Sequence, residues 1–283
     1  MSDSLTAFAP VAGGRHLLVI DAQNDFCDIA GAALPVPGAD ADMRRLAEFV
    51  RRHVDAIDDM TLTLDSHYRI DIAHPGFWRT GEGGAVAPFT PVSAEQVRAG
   101  QLLPRQAQAL PQVLAYLDAL QARGRYRHMV WPVHCELGSW GHGLHAELAD
   151  ACRLWEDRHG RQAVKILKGA NPWTEHYSAI EAEVPDPGDP ATGTHHALLD
   201  RLAASGELLV AGEAGSHCVK ATVEHVAAYR PAIPLVLLTD AMSPVQGYAQ
   251  EQARFLAGMA ARGAVLAATG TALGQAGRRP CRA

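Results

Sequence analysis

The sequence lacks long apolar segments and an amino-terminal targeting signal. No uninterrupted apolar run in the 283 residues approaches the length of about 18 that a membrane-spanning helix needs. The first residues, MSDSLTAFAPVAGGRH, show no charged segment followed by an apolar one. Both absences argue against membrane insertion and secretion, and we expect a cytoplasmic protein with no membrane partner.

Clustered basic residues and paired cysteines are also missing. The formal net charge is -6, without the basic patch that neutralises a phosphate backbone, so we expect no nucleic-acid partner. The cysteine count is 5, an odd number without any C-x-x-C pair, which argues against a disulfide framework or a zinc ribbon. A reducing compartment and a small-molecule partner are therefore expected. The cysteines are Cys27, Cys135, Cys152, Cys218 and Cys281.

Apolar, β-branched segments alternate with segments of helical periodicity along the chain, which is typical of a parallel sheet covered by helices on both faces. The predicted strands are His16–Ile20, Thr61–Leu64, His128–Pro132, Ala163–Leu167, Glu207–Ala211 and Pro234–Thr239, with a short one at Ala264–Ala267. The predicted helices are Ala41–Arg52, Gln106–Ala122, Gly143–Arg158, His195–Ala203, Cys218–Ala228 and Gln250–Ala261.

This alternation predicts a three-layer α/β/α sandwich with a mainly parallel sheet of about six strands. We predict one domain over residues 1–283, with an insertion around residues 76–122 and a flexible carboxyl-terminal tail at 274–283 that contains Cys281. The Gly/Pro-rich stretch Gly76–Arg105 is interpreted as an excursion from the core.

Polar residues stand directly after five predicted strands, where ligands bind in open parallel sheets. Each one alone has an ordinary interpretation as a loop residue, but the set together indicates a site. The set comprises Asp21, Asp65 with His67, His134, Lys168 and Cys218.

Cys218 follows a strand and the glycine-flanked loop GEAGSH and begins a predicted helix. A sulfur at a helix amino terminus lies at the positive end of the helix dipole, which favours the thiolate. The turn is also similar to the strand-turn-helix elbow of hydrolases. Cys218 is therefore the candidate nucleophile, against the alternative of a buried structural cysteine. Lys168 and Asp21 are candidate partners, but the residue pattern alone does not assign them.

Asp65 and His67 are two residues apart, so their side chains point the same way from an extended strand end. His134 supplies a third ligand from another strand end, and the set suits zinc, iron or manganese. His74 is a competing ligand because it is nearer in sequence, with a pocket wall as its alternative role.

Five ordered motifs resemble those of the nicotinamidase branch of the isochorismatase-like cysteine hydrolases. They are LLVIDAQNDFC at Leu17–Cys27, TLDSHYRIDIAHPGFW at Thr63–Trp78, WPVHCELGSWG at Trp131–Gly141, LKGANPWTEHYSAI at Leu167–Ile180 and GEAGSHCVKAT at Gly212–Thr222. The resemblance spans almost the whole chain.

The resemblance implies Asp21 as acid and base, Lys168 as stabiliser and Cys218 as nucleophile, with Asp65, His67 and His134 as metal ligands. It implies a cis peptide between Glu213 and Ala214, with the Ala214 and Cys218 amides as the oxyanion hole. Phe26 and Trp78 are candidate ring contacts, with simple packing as their alternative role.

The activity implied is hydrolysis of nicotinamide to nicotinate and ammonia through a cysteine thioester, with a divalent metal, zinc being expected, that orients the pyridine ring. One alternative is hydrolysis of another small amide, such as a carbamoyl, ureido or maleamate-like compound. The other is a catalytically silent metal- or ligand-binding homologue.

Two departures border the implied pocket. D-S-H-Y stands in place of the family's D-W-H-P, at Ser66 and Tyr68, and A-G-S-H-C in place of A-T-D-Y-C. The longer spacing between His67 and His134 arises in the insertion, which has two interpretations: a cover over the site, or a contact between subunits of a homo-oligomer.

Overall fold

The structure, a computed structural model, describes residues 9–273, in which the chain forms ten strands and seven α-helices. The strands are β1 (Arg15–Ile20), β2 (Asp59–Asp65), β3 (Trp78–Thr80), β4 (Thr90–Val92), β5 (Leu102–Pro104), β6 (His128–Val130), β7 (Val164–Lys168), β8 (Glu207–Gly212), β9 (Leu235–Leu238) and β10 (Val265–Ala267). The helices are α1 (Ala39–Arg52), α2 (Ala94–Arg98), α3 (Leu110–Arg123), α4 (Ala146–His159), α5 (His196–Ala203), α6 (Cys218–Tyr229) and α7 (Ala249–Ala261). None of these helices is both long and apolar enough to cross a bilayer.

Six strands form a parallel sheet in the order β10-β9-β8-β1-β2-β7. β1 lies at its centre, where Leu18 pairs with Thr61 of β2 on one side and with Val210 of β8 on the other. A strand covered on both faces carries a nearly continuous apolar sequence, as RHLLVI does. The carboxyl ends of β8, β1, β2 and β7 therefore adjoin one another.

Successive β1 side chains enter opposite core layers, because strand side chains alternate between faces. Leu17 and Val19 pack with α1 and α4 in one layer. Leu18 and Ile20 pack with α5, α6 and α7 in the other. The α6 valines Val219, Val223 and Val226 lie in this second layer, on the face that their spacing predicts. The three-layer α/β/α fold is confirmed.

The predicted strand at residues 128–132 does not belong to the central sheet. β6 instead pairs antiparallel with β4, and β10, the short strand predicted last, fills the sixth position beside β9. A short apolar segment is compatible with either pairing, since strand partners are distant in sequence.

The insertion has regular structure where a long excursion was expected. β3 pairs antiparallel with β5, and α2 begins with a capping box between Ser93 and Gln96. Its apolar side chains form a third core cluster, which includes Trp78 and Val113 and meets β6 at Val130. The predicted tail at 274–283, with Cys281, lies outside the described residues.

Replacing Trp155 with alanine is expected to destabilise the fold by about 3–5 kcal/mol, the usual cost of deleting a fully buried large aromatic. The side chain is completely buried between α4 and the sheet, and its Nε1 donates to the Ile57 carbonyl at 2.8 Å. Urea unfolding measures the change. Its neighbour Leu154 is 46% exposed, so Leu154→Ala should change stability by about 0.5 kcal/mol or less.

Candidate active site

Four polar side chains meet where adjacent strands of the central sheet end. Asp21 follows β1, Asp65 ends β2, Lys168 ends β7, and Cys218 begins α6 just beyond β8. Because the order of these strands is β8-β1-β2-β7, residues far apart in sequence reach one edge of the sheet. The structure thus brings together the predicted nucleophile and both of its candidate partners.

Lys168 is the centre of this group. Its Nζ lies 2.9 Å from Asp21 Oδ2, 2.9 Å from Asp65 Oδ1 and 3.6 Å from Cys218 Sγ. It also donates to the His176 carbonyl at 2.9 Å. Burial alone would lower the pKa of Lys168, but the Asp21 and Asp65 carboxylates raise it well above its usual value. Lys168 is therefore a fixed positive charge beside the sulfur.

Asp21 is completely buried and adopts a left-handed backbone conformation, with φ 45°. Thr63 of β2 holds the carboxylate, because its Oγ1 donates to Asp21 Oδ1 at 2.6 Å. Burial raises the pKa of Asp21, Lys168 opposes that effect, and Asp65 adds to it, with a net increase. An aspartate with a raised pKa accepts and returns a proton more readily than an ordinary one near neutral pH.

Burial raises the pKa of the Cys218 thiol well above its ordinary value; Lys168 acts in the opposite direction, and the Asp21 and Asp65 carboxylates add to the increase. The helix terminus does not compensate for this desolvation. Attack by the sulfur therefore requires a proton acceptor, which makes the nearby carboxylate of Asp21 chemically relevant.

The loop before Cys218 contains a cis peptide between Glu213 and Ala214, as the resemblance implied. The Ala214 carbonyl accepts from the amides of His217 and Val219, at 3.0 and 3.2 Å. Within residues 9–273, the Ala214 and Cys218 amides have no protein acceptor. Two buried donors near the sulfur are thus available to another group.

A cluster of histidines lies next to Lys168. Nitrogen atoms of His67, His74 and His134 all fall within 4.8 Å of one another, and the three rings are buried. Asp65 Oδ2 lies 3.1 Å from His67 Nε2 and 3.4 Å from His134 Nε2. The structure therefore places the three predicted ligands together and adds His74, whose Nε2 is 3.2 Å from His134 Nδ1.

The chemistry of this cluster fits a divalent metal. Three imidazoles and a carboxylate form a donor set that first-row divalent ions favour. His67 Nδ1 lies 3.1 Å from Asp71 Oδ2, an outer carboxylate of the kind that orients metal-binding histidines. Burial opposes charge on His67, but Asp65 and Asp71 raise its pKa well above normal, so the site favours a positive charge. The cluster is a candidate divalent-metal site.

Gln23 is a supporting residue that sequence reasoning missed. Its Oε1 accepts from the Asp65 amide at 2.7 Å, and its Nε2 donates to the Asp65 carbonyl at 2.8 Å. These two hydrogen bonds from the Gln23 side chain to the Asp65 backbone join the segment after β1 to the end of β2. The chain turns between Asp21 and Gln23, where the Gln23 amide donates to the Asp21 carbonyl at 2.8 Å, so strand periodicity does not predict this role.

Phe26 and Trp78, the two residues predicted to contact the substrate ring, lie in different parts of the structure. The Phe26 ring is 5.4 Å from His134 and packs in the same core layer as Cys218. Trp78 is fully buried in the core of the insertion, where its Nε1 donates to the Ile72 carbonyl at 2.7 Å. The structure therefore brings Phe26, but not Trp78, to the site.

A second aromatic wall borders the nucleophile loop. Trp131 Nε1 donates to Tyr177 OH at 3.1 Å, and both rings pack against His217, at 5.4 and 5.3 Å between centroids. Phe89 of the insertion, 55% exposed, lies edge-on to Trp131 at 6.0 Å. Trp131 begins the WPVHCELGSWG motif but was not predicted as a ring contact.

Comparisons with known proteins find similar sequences and similar folds. A nicotinamidase of Escherichia coli (strain K12) is 30% identical over 258 residues, which cover 89% of this chain and 93% of that protein. The yeast nicotinamidase Pnc1p matches with a TM-score of 0.61 at 18% identity, over 89% of this chain and 98% of the yeast chain. A pyrazinamidase of Pyrococcus horikoshii, solved in complex with zinc, has a TM-score of 0.54 at 22% identity, over 90% and 98%. No protein-family model matches the sequence.

Proposed function

The chain belongs to the nicotinamidase family of isochorismatase-like cysteine hydrolases, and we propose on that basis that it hydrolyses nicotinamide to nicotinate and ammonia. The observation that carries the proposal is the contact chain from Cys218 Sγ to Lys168 Nζ, at 3.6 Å, and on to Asp21 Oδ2, at 2.9 Å. These groups supply a nucleophile, a fixed positive charge and a proton acceptor in one buried cluster.

In the proposed reaction, Asp21 accepts the thiol proton of Cys218 as the sulfur attacks the carboxamide carbon. The Ala214 and Cys218 amides donate to the developing oxyanion, a role for which neither has a competing acceptor among residues 9–273. Asp21 then gives its proton to the leaving nitrogen, ammonia departs, and a thioester remains. Asp21 next accepts a proton from water, and the resulting hydroxide attacks the thioester carbon and breaks its C–S bond. Asp21 returns its proton to the Cys218 sulfur, and the acid product loses its own proton to solvent and leaves as nicotinate.

Lys168 keeps its proton throughout this cycle. Its ammonium is held by three oxygens and stands beside the sulfur, so it stabilises negative charge on Cys218 during attack and on Asp21 between proton transfers. This division of labour assigns proton transfer to Asp21 and electrostatic stabilisation to Lys168.

We assign Asp65, His67, His134 and the additional His74 as the residues that hold a divalent metal, with zinc as the first choice and iron or manganese as alternatives. Zinc accords with the donor set, and the related pyrazinamidase was solved with that ion. When bound, the metal supplies a Lewis acid that holds the pyridine nitrogen, or water beside it. Phe26 and Trp131 are the aromatic side chains that we assign to contact the ring.

The D-S-H-Y departure at Ser66 and Tyr68 leaves this assignment in place. Ser66 is fully buried, its Oγ donates to the Leu64 carbonyl at 3.0 Å, and it lies 2.9 Å from His142 Nε2. Tyr68 is 54% exposed. Both side chains have surroundings other than the Cys218 cluster, so they do not favour a different amide.

Ammonia release from the purified, zinc-loaded protein tests the substrate. We expect turnover of nicotinamide and of pyrazinamide, another planar ring amide, and little or none of carbamoyl, ureido or maleamate-like compounds. Each substrate is run beside Cys218→Ala, which reveals ammonia from contaminating enzymes. Turnover of an open-chain amide without any of nicotinamide would replace the proposed substrate and leave the cysteine chemistry standing.

Replacing His74 with alanine is expected to weaken zinc binding by about tenfold or more, as expected for loss of a ligand or of an immediate supporting group. Metal content after dialysis against graded chelator gives the affinity without any activity assay. His145→Ala is the matched control, because His145 Nε2 bonds to Asp40 of α1 at 2.9 Å, outside the cluster. If His74→Ala binds zinc as tightly as the wild type, His74 is not a ligand, and the proposed ligands are Asp65, His67 and His134 alone.

A further inference from the structure

Glu213 is a buried acid immediately before the Ala214 amide, and the mechanism above gives it no role. Its side chain is completely buried. The Ser243 amide donates to Glu213 Oε2 at 3.1 Å, whereas Oε1 is buried without any hydrogen-bond partner in the described residues. A carboxylate oxygen left without a donor in the interior is costly, so its protonation state needs an explanation.

The neighbour of Glu213 is a second buried acid, Asp42 of α1, which is 2% exposed. Ser243 bridges the two carboxyl groups, because its amide donates to Glu213 Oε2 at 3.1 Å and its Oγ donates to Asp42 Oδ2 at 2.6 Å. The Arg45 guanidinium donates to the other Asp42 oxygen, Oδ1. Both oxygens of Asp42 thus have a donor in the described residues, whereas Glu213 Oε1 has none.

The charged and titratable groups around Glu213 act on its pKa. Burial, followed by the charge of Asp42, raises the pKa of Glu213 well above its ordinary value, and Asp28 contributes in the same direction. The other groups are Arg45, which is partly exposed and bound to Asp42, and the Cys27 thiol, whose pKa is also raised by burial and then by Glu213. The Asp42 and Asp28 charges therefore disfavour a negative charge on Glu213, whereas the hydrogen bond from the Ser243 amide favours it.

Glu213 also completes a set of bonds that joins the nucleophile loop to the loop after β9. The Gly212 amide donates to the Ala241 carbonyl at 2.9 Å, and the Gly215 amide donates to the Ser243 carbonyl at 2.8 Å. The bond from the Ser243 amide to Glu213 lies between these two in sequence. Ala214, whose amide is a proposed oxyanion donor, is thus flanked on both sides by residues tied to this loop.

We propose that Glu213 is a neutral carboxylic acid that donates its proton to Asp42, and that this acid–carboxylate pair positions the Ala214 amide for catalysis. Glu213 is a positioning residue, since it acts through the loop and does not touch the reacting atoms. The link to catalysis rests on the proposed function, whereas the shared proton does not.

The sign of the pH effect follows from the raised folded-state pKa. The pair stabilises the fold fully below the unfolded-state pKa of a glutamate, about 4.3. This contribution is lost as pH rises from there toward the folded-state pKa. Above that value two adjacent buried carboxylates repel each other, so the fold and the oxyanion loop both weaken at alkaline pH.

Glu213→Gln tests the pair, because the amide donates to Asp42 at every pH and cannot ionise. We expect its melting temperature to exceed that of the wild type by a margin that grows with pH. We also expect kcat close to wild type at neutral pH, and an alkaline decline in kcat that begins about one pH unit higher or more. Asp42→Asn should give the same loss of pH dependence, and it serves if Glu213→Gln folds poorly.

Glu183→Gln is the matched control. Glu183 is also buried, its Oε1 has no partner in the part of the chain that the structure describes, and burial raises its pKa to about 7. Its Oε2, however, lies 4.0 Å from Arg125 Nη1. This variant should leave the alkaline limb of kcat unchanged. The proposal is overturned if Glu213→Gln keeps the wild-type pH dependence of the melting temperature, or if Glu183→Gln shifts the kcat limb equally. The melting data need no substrate, so failure of the nicotinamide assignment would be seen separately.

Discussion

Replacing Cys218 with alanine should lower kcat/KM for nicotinamide by about 10⁴-fold or more, as loss of a covalent nucleophile does in other hydrolases. No other thiol takes this place in the described structure, where Lys168 Nζ stands 3.6 Å from Cys218 Sγ. The substitution removes one buried sulfur from a cluster of charges that otherwise stays paired, so the fold should persist. Ammonia release gives the rate, and mass spectrometry after rapid quenching detects the thioester only in the wild type.

Cys152→Ala is the control for this experiment. Cys152 is likewise a buried free thiol, but it lies on α4 in the opposite core layer. It should retain wild-type kcat with a modest loss of stability from the small cavity. If Cys218→Ala keeps more than about a tenth of the wild-type rate, a cost of only about 1.4 kcal/mol, covalent catalysis by this residue is wrong.

Lys168→Met should abolish turnover and also destabilise the fold by about 3–5 kcal/mol, the usual cost of removing one partner from a buried ion cluster. Lys168 is 3% exposed and is the cation shared by Asp21 and Asp65. Methionine fills a similar volume, so lost charge rather than lost packing accounts for the effect. Urea unfolding of the zinc-loaded protein measures stability, and ammonia release measures activity.

The control variant is Lys165→Met. Lys165 lies on the same strand as Lys168, but its side chain is exposed. Its stability should stay within about 0.5 kcal/mol of the wild type, with full activity. If Lys168→Met is stable but inactive, the lysine acts in catalysis and does not stabilise the fold. That result would also show that Asp21 takes up a proton when its counter-ion is lost. An active variant would contradict the assigned role altogether.

Local patterns predicted most of the central fold. The valines of α6 repeat at helical spacing, and the predicted helix from Cys218 to Ala228 matches the observed Cys218–Tyr229. The apolar run before Asp21 likewise predicted β1. Such elements depend on periodicity and burial, both of which are written in consecutive residues. β6 was assigned to the wrong sheet, because its pairing with β4 depends on contacts between segments that are distant in sequence.

In the site, too, individual residues were recognisable from the sequence, but their contacts were not. Asp21, Lys168 and Cys218 were recognisable because each stands at a strand end within an ordered motif. Their contact distances follow from the order β8-β1-β2-β7, which the chain specifies only through packing of the whole sheet. The sequence made His74 a competing ligand, and only the structure placed it in the histidine cluster. Trp131 lies inside an ordered motif, but nothing local distinguished it from an ordinary packing residue.

The sequence by itself determined the α/β alternation, the candidate nucleophile and most of the proposed metal ligands, because strand ends and motif residues are local features. The tertiary structure alone decided that His74 joins the histidine cluster, that Trp78 packs in the insertion core, and that burial raises the pKa of the Cys218 thiol. It also brought Glu213 against Asp42. Each of these depends on which distant groups surround a side chain and on how completely water is removed from it, and both are set only when the chain has folded.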